Sequence, residues 1–310
     1  VEGSPTALAG ACRAAAEELA SALDLVRWGA SRFAEHGLVF GHGTDNALDE
    51  ARALVLHALH LPPDTPEALL AARLTRAERE ACVALLRRRI VERRPAPYLT
   101  GEAWFAGLRF VVDERVLVPR SPLAEWIERG FAPWLDPERV RRVLDLGTGS
   151  GALAVACACA FPDAEVDAVE RSRAALEVAA RNVREHGLAG RVHLIESDLY
   201  AALAGRRYEL IISNPPYVGA ERMAALPPEY RHEPAAALAA GSDGLECLRR
   251  IIDGAPAHLA GDGVLVLEVG VAREALERAY PALEVVWLDL ERGGENCCLI
   301  GAAALAERAG

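Results

Sequence analysis

A doubly wound α/β domain, set behind a small helical bundle and a short hairpin, is the fold class this sequence predicts. Three observations carry that reading. After Pro133 the chain alternates apolar runs (Val143 to Leu146, Glu165 to Val169, Val192 to Ile195, Tyr208 to Ser213, Val264 to Val269) with helical stretches, among them Ala152 to Ala160, Arg173 to His186 and Gly244 to Leu259; such alternation means a parallel sheet. The N-terminal third repeats its apolar residues at helical spacing instead. Between them, from Pro97 to Pro119, short strand-like pieces are broken by Gly107 and Asp113-Glu114. The expected organisation is a helical substrate-recognition domain over 1–96, a β-hairpin linker over 97–119 and a catalytic domain over 120–310.

Taken in order, Leu19, Leu23, Val26, Ala30 and Phe33 form one apolar stripe, and a second helix runs from about Asn46 to Leu61 before Pro62-Pro63 stops it. Thr75 with Glu78 forms a capping box for a third helix, whose buried face is Cys82, Leu85, Leu86 and Ile90, with Pro95 and Pro97 ending it. The cluster Arg87-Arg88-Arg89 with Arg93-Arg94 near its C-terminus reads as a solvated face that offsets the helix dipole, with RNA or substrate contact as the alternative. In the hairpin linker, Ala103 to Phe105, Leu108 to Val112 and Val116 to Val118 read as strands. The stretch from Val218 to Ser242 is a long Pro-containing loop, of the kind that is often functional.

The 310 residues are 52% hydrophobic, ample for two cores. Seven cysteines, odd in number and without a CxxC, fit reduced thiols in a cytoplasmic protein. No basic start with a long apolar stretch opens the chain and no window suits a membrane helix, so no membrane association is expected. The net charge is -11, and residues 1–100 carry 12 Arg against 13 Asp/Glu while the remainder carries 22 against 32. An acidic C-terminal domain is poor for gripping DNA or RNA and suits a basic protein partner.

The chemistry sits at strand ends. Asp145-Leu146-Gly147-Thr148-Gly149-Ser150-Gly151 follows the first strand, its alternate glycines letting the backbone pass close to a ligand. Its GxGxG spacing differs from the GxGxxG of dinucleotide sites, and it has no P-loop Lys-Ser/Thr. Glu170 closes the second strand, where a carboxylate accepts from both hydroxyls of a ribose, and Ser197-Asp198-Leu199 after the third offers an acid and a backbone N–H that match an adenine edge. Asn214-Pro215-Pro216-Tyr217 closes the fourth. The Asn side-chain oxygen and the Pro215 carbonyl form a rigid pair of acceptors suited to a planar NH2 group, with Tyr217 flanking the plane. His57 and His60, three apart on a helix, lack a third ligand nearby, so no metal is expected.

Together these motifs resemble a class I S-adenosylmethionine-dependent methyltransferase of the N(5)-glutamine methyltransferase family, over nearly the whole chain. The resemblance implies a seven-stranded Rossmann-like domain. It also implies S-adenosylmethionine as cofactor, S-adenosylhomocysteine as product, cofactor contacts at Asp145, Gly147, Thr148, Gly149, Ser150, Gly151, Glu170, Asp198, Leu199 and Asn214, and a glutamine amide held by Asn214 to Tyr217. Glu170 stands where an Asp is common. Phe40 to Asn46, Val118 to Leu123 and Glu229 to Pro234 resemble the branch that modifies a glutamine of large-subunit ribosomal protein L-three, free or in an assembling subunit. A second branch acts on the GGQ loop of release factors. Arg120 and Arg231 are expected to position the peptide or close over the cofactor, against capping and loop salt bridges. Methylation of a nucleic-acid base amine and a non-catalytic ribosome-assembly role are the alternatives from other classes.

Overall fold

The computed structural model describes residues 5–291 and 296–309. They form two units: residues 1–102 with 227–232, and residues 103–226 with 233–310.

The first unit is a helical bundle of α1 (Pro5–Glu18), α2 (Ala22–Glu35), α3 (Ala47–Ala58) and α4 (Arg76–Glu92), with a short turn at Glu67–Leu70. The stripe that starts at Leu19 is not one helix. Ser21 breaks it, its hydroxyl accepting from Asp24 N–H while the Asp24 carboxylate accepts from Ser21 N–H, a reciprocal cap that starts α2 afresh. Asn46 caps α3 through Leu48 and Asp49 N–H, and the Thr75–Glu78 box starts α4 as expected. At Gly29 the helices lie so close that a Cβ would stand 2.8 Å from a Leu86 methyl and 3.3 Å from Ala51 Cβ. Phe33, Leu54, Val55, Cys82 and Leu86 fill the core beside it.

The arginine cluster on α4 departs from the solvated reading. Arg87 and Arg88 are exposed, but Arg89 shares a face with Cys82 and Leu86 and is fully buried. Its Nε donates to Glu50 at 2.7 Å and its Nη2 to the Val39 carbonyl at 2.9 Å. Its Nη1 lies 3.6 Å from Glu229, which Arg93 Nε approaches at 2.9 Å and to which Val39 N–H donates. Burial works to raise the Glu229 carboxyl, and Val39 N–H with the two guanidinium charges overcomes it, leaving it below the usual carboxylate range. Segment 227–232 is thus part of this unit although long stretches of the other unit flank it.

The second unit is built on a seven-stranded sheet. β1 (Glu102–Phe105) and β2 (Leu108–Val111) form the expected hairpin; Val116 to Val118 is not a strand, and Val118 N–H donates to Glu233 instead of a ladder. The sheet comprises β3 (Arg142–Leu146), β4 (Glu165–Glu170), β5 (Val192–Glu196), β6 (Tyr208–Ser213), β7 (Leu259–Glu268), β8 (Val286–Trp287) and β9 (Cys297–Gly301), in the order β5-β4-β3-β6-β7-β9-β8. Strands β3 to β7 pair in parallel, and β9 runs antiparallel to β7. The order reverses beside β3, so the ends of β3 and β6 flank the switch point where such sheets bind ligands.

Helices α5 (Ala152–Ala160) and α6 (Arg173–Glu185) follow β3 and β4, and α7 (Glu246–Gly254) precedes β7. α5 is apolar all round, which suits the complete burial of Ala152 to Ala158; Cys159 at its end is exposed. Asn182 on α6 is fully buried: it accepts from Val111 N–H and donates to the carbonyls of Val111 and Ser150, tying the hairpin backbone to the glycine loop. Among the described residues no helix is long and apolar enough to cross a membrane.

Candidate active site

At the carboxyl edge of the sheet the strand-end motifs converge on a cavity of about 320 Å³, lined among others by Gly147, Gly149, Glu170, Ser197, Asp198, Leu199, Asn214 and Pro216. The glycine loop is shaped by backbone bonds: Gly147 and Thr148 N–H both donate to the Val169 carbonyl at 2.8 and 2.9 Å, and Gly151 N–H returns to Thr148. Gly147, Gly149 and Gly151 take φ values of 76°, 54° and 82°, a region that penalises any side chain. A Cβ on Gly147 would meet nothing within 4 Å, so that glycine leaves open space, whereas one on Gly151 would touch Ala179.

Asp145, Thr148, Ser150 and Gly151 do not line the cavity; they build its loop. The buried Asp145 carboxylate accepts from the Thr148 hydroxyl at 2.5 Å and from Ala154 N–H at 3.1 Å, joining the loop to the first turn of α5. Its other oxygen, Oδ1, is buried without a hydrogen bond. Burial pushes this carboxyl up to about 7, against the opposing pull of those two donors. The folded chain therefore holds the Asp145 proton more tightly than the unfolded chain does. This group's stabilisation is full below the ordinary carboxylate range and falls as pH rises toward about 7. Asp145→Asn should flatten that decline: urea unfolding from about pH 5 to about pH 8 should show a shallower loss of stability than the parent. Parallel curves would show that Asp145 titrates normally.

Glu170 ends β4 with both oxygens turned to the edge, Oε2 accepting from Gly149 N–H at 3.2 Å and Oε1 from Ser172 N–H at 2.9 Å. Each oxygen keeps a second lone pair for a ligand hydroxyl. Asp198 stands at the rim, where Arg250 takes its Oδ2 at 2.7 Å and holds the carboxyl below the usual range. The adenine-edge role expected of Asp198 thus has a competitor, the α7 guanidinium, that its sequence position does not reveal. Leu199 beside it has φ 50°, with its carbonyl accepting from the Ser197 hydroxyl. Glu170, Asp198 and Gly147 thus present to one cavity two carboxyl groups and an open stretch of backbone.

Asn214 follows Ser213, whose hydroxyl donates to the Leu146 carbonyl at 2.6 Å and so fixes the end of β6 against β3. The Asn214 carboxamide is half-buried, lines the cavity and makes no hydrogen bond to another described residue. Pro215 is buried and Pro216 lines the cavity. Tyr217 does not line it; its hydroxyl donates to Glu268 at 2.8 Å. Arg120 forms a bidentate pair with Glu233, Nη2 to Oε2 at 2.8 Å, and so anchors the returning end of the 218–242 loop. Arg231 is exposed, belongs to the helical unit and is not among the residues that line this cavity. His57 bonds Glu102 through Nδ1 at 2.9 Å.

The family profile described as "Methyltransferase small domain" matches residues 129–226. The "Ribosomal protein uL3 glutamine methyltransferase" of Bordetella pertussis is 53% identical over 285 residues, spanning 92% of this chain and 96% of that one. The chain belongs to the ribosomal protein uL3 glutamine methyltransferase family. The protein of that name from Xanthomonas campestris pv. campestris is also 53% identical, over 90% of this chain and 91% of its own. Among solved structures, a methyltransferase from Pyrococcus furiosus aligns with 63% of this chain at 19% identity and a TM-score of 0.46.

For a member of this family, the three segments that carry the branch resemblance have a plain structural logic. In the helical unit the His42 ring lies 4.4 Å from that of Tyr230, and Glu229 receives Val39 N–H. In the catalytic unit Glu233 receives Val118 N–H and the Arg120 fork. Each segment is thus paired with another. Sequence reasoning missed Arg250, Asn182 and Glu268. The last had a readable signal, an acid closing an apolar strand, the same signal that picked out Glu170.

Proposed function

We propose that this methyltransferase moves a methyl group from S-adenosylmethionine to the side-chain amide nitrogen of a glutamine in ribosomal protein uL3. The observation that carries the reading is the Asn214 carboxamide, presented to the cavity without a hydrogen-bond partner among the described residues, beside the proline-fixed Pro215 carbonyl. Gly147, Gly149, Glu170, Asp198 and Leu199 are the residues that would hold the cofactor. When bound, it supplies an electrophilic methyl carbon on a sulfonium and leaves as the neutral thioether S-adenosylhomocysteine.

The chain's own task is orientation. An amide nitrogen is a weak nucleophile because its lone pair is delocalised into the carbonyl. Asn214 Oδ1 and the Pro215 carbonyl accept its two hydrogens, fix one face of the nitrogen toward the cavity and support the positive charge that develops there. No strongly basic residue is needed, since the cationic N-methyl amide formed on transfer is strongly acidic and passes its extra proton to water. Choice of glutamine falls to the helical unit, a substrate-recognition role consistent with its pairing of the branch segments. Incubating the chain with labelled cofactor and either uL3, assembling large subunits or release factors, then mapping the label by mass spectrometry, tests the reading. One methyl on a uL3 glutamine is expected; label confined to release factors or to nucleic acid would overturn it.

A further inference from the structure

Glu268 closes β7, the strand next to the one that carries Asn214. In the parallel register Ser213 pairs with Leu267, so the following residues, Asn214 and Glu268, stand at the same level of the sheet edge. The carboxyl is almost completely buried, at 6% exposure. Oε1 accepts the Tyr217 hydroxyl at 2.8 Å, and Oε2 is buried without a hydrogen bond of ordinary geometry. A buried acid is costly unless it is hydrogen-bonded or paired, and the Tyr217 hydroxyl supplies such a bond.

What it holds is the last residue of the acceptor motif. The Tyr217 ring lies flush against Gly270, which has φ 44°; a Cβ there would fall 2.5 and 2.7 Å from ring carbons. At the other end of the residue the Tyr217 carbonyl is so close to Gly244 that a Cβ there would lie 2.6 Å from it. The phenol is therefore clamped at three points: hydroxyl, ring face and backbone. Burial pushes the Glu268 carboxyl above the usual carboxylate range, while the Ser121 hydroxyl, Tyr217 and the Arg120 charge pull the other way. Burial likewise raises the Tyr217 phenol, so it stays a hydrogen-bond donor at any working pH.

We propose that Glu268 and Gly270 are positioning residues for methyl transfer: they act through Tyr217 to hold the Asn214–Pro215 acceptor pair in register with the cavity. The inference rests on the proposed reaction for its kinetic test and on the structure alone for its spectroscopic one. Pro215 and Pro216 leave the motif few soft torsions, so pinning Tyr217 fixes the direction in which the Pro215 carbonyl points. Without the pin, the carbonyl swings by the ångström or so that separates a productive amide pose from an idle one. Gly270 is required for space as well as for its φ, and Glu268 for its acceptor more than for its charge.

The experiment compares Tyr217→Phe, Glu268→Leu, Glu268→Gln, Gly270→Ala and the double variant Tyr217→Phe/Glu268→Leu. Single-turnover methyl transfer, cofactor affinity and thermal melting are measured on each. Tyr217→Phe, Glu268→Leu and Gly270→Ala should each lower the transfer rate on the order of tenfold to a hundredfold, with cofactor affinity little changed. The double variant should lose no more than the worse single, because one contact is removed twice. Glu268→Gln, whose amide oxygen still accepts the phenol hydrogen, should recover most of what Glu268→Leu loses.

Losses that multiply in the double variant, or a Gln variant as slow as the Leu one, overturn the proposal. So does a fall in melting temperature with the rate per folded molecule unchanged. In parallel, ring-labelled tyrosine NMR of this six-tyrosine chain reads the contact without any substrate. The resonance lost in Tyr217→Phe should shift strongly in Glu268→Leu and weakly in Glu268→Gln. If no protein accepts a methyl, the proposed reaction fails while this arm still decides the clamp; an unmoved Tyr217 resonance in Glu268→Leu refutes the clamp by itself.

Discussion

Asn214→Ala should leave cofactor affinity nearly intact and lower the single-turnover transfer rate by about a hundredfold or more, the loss typical of one positioned polar contact to a developing charge. The effect is large because the carboxamide has no structural employment: it bonds no other described residue, so its removal leaves the end of β6 fixed by Ser213 and Leu146. A drop in rate without a drop in melting temperature is therefore the expected pattern. Asn214→Asp separates the two functions of the side chain, since it keeps an acceptor but brings a charge. A variant at Asn214 that turns over normally would remove the amide fork from the mechanism.

Arg89→Leu should destabilise the helical unit by roughly 3–5 kcal/mol, the usual consequence of removing one partner from a buried ion cluster. Glu50 would remain without solvent and without its guanidinium, and Glu229 would keep Arg93 alone. Burial already raises the Glu50 carboxyl, and Arg89 is the principal group that lowers it. Replacing Arg89 and Glu50 together by apolar residues, with Glu229 left to Arg93, should recover much of that loss, because the penalty lies in unpaired charge rather than in missing attraction. Hydrogen exchange across α2 to α4 compared with the β3–β7 sheet locates the effect. Uniform loss over both units would mean that the cluster does not belong to the helical unit alone.

Much of the catalytic unit is legible from local patterns because its information is local. A glycine at every second position after a strand, an acid at a strand end and a carboxamide before two prolines each encode their geometry within a few residues. Helix starts at Asn46 and Thr75 are legible for the same reason. The break at Ser21 was equally local, yet an unbroken apolar stripe concealed it. Other features were beyond such reading. Arg89 meets Glu50 39 residues away in sequence, Val39 meets Glu229 across 190, and Tyr217 meets Glu268 across 51. A charged residue on an apolar helix face is a hint of a buried partner, but nothing in the spacing says which acid answers it. Asp198 shows the limit from the other side. Its place after β5 was legible, and the Arg250 that occupies one of its oxygens was not.

Segment 227–232 bears on how such an enzyme can be taken apart. The helical unit is not encoded as one continuous stretch: a gene fragment ending at residue 102 would carry Arg89 and Arg93 but lack the Glu229 that answers them. A chimaera that grafts this unit onto another methyltransferase has to bring the six residues along, inserted after the acceptor motif of its new host. The helical unit is thus not a portable module at the front of the chain, and recombination at the apparent domain boundary would separate Arg89 and Arg93 from Glu229.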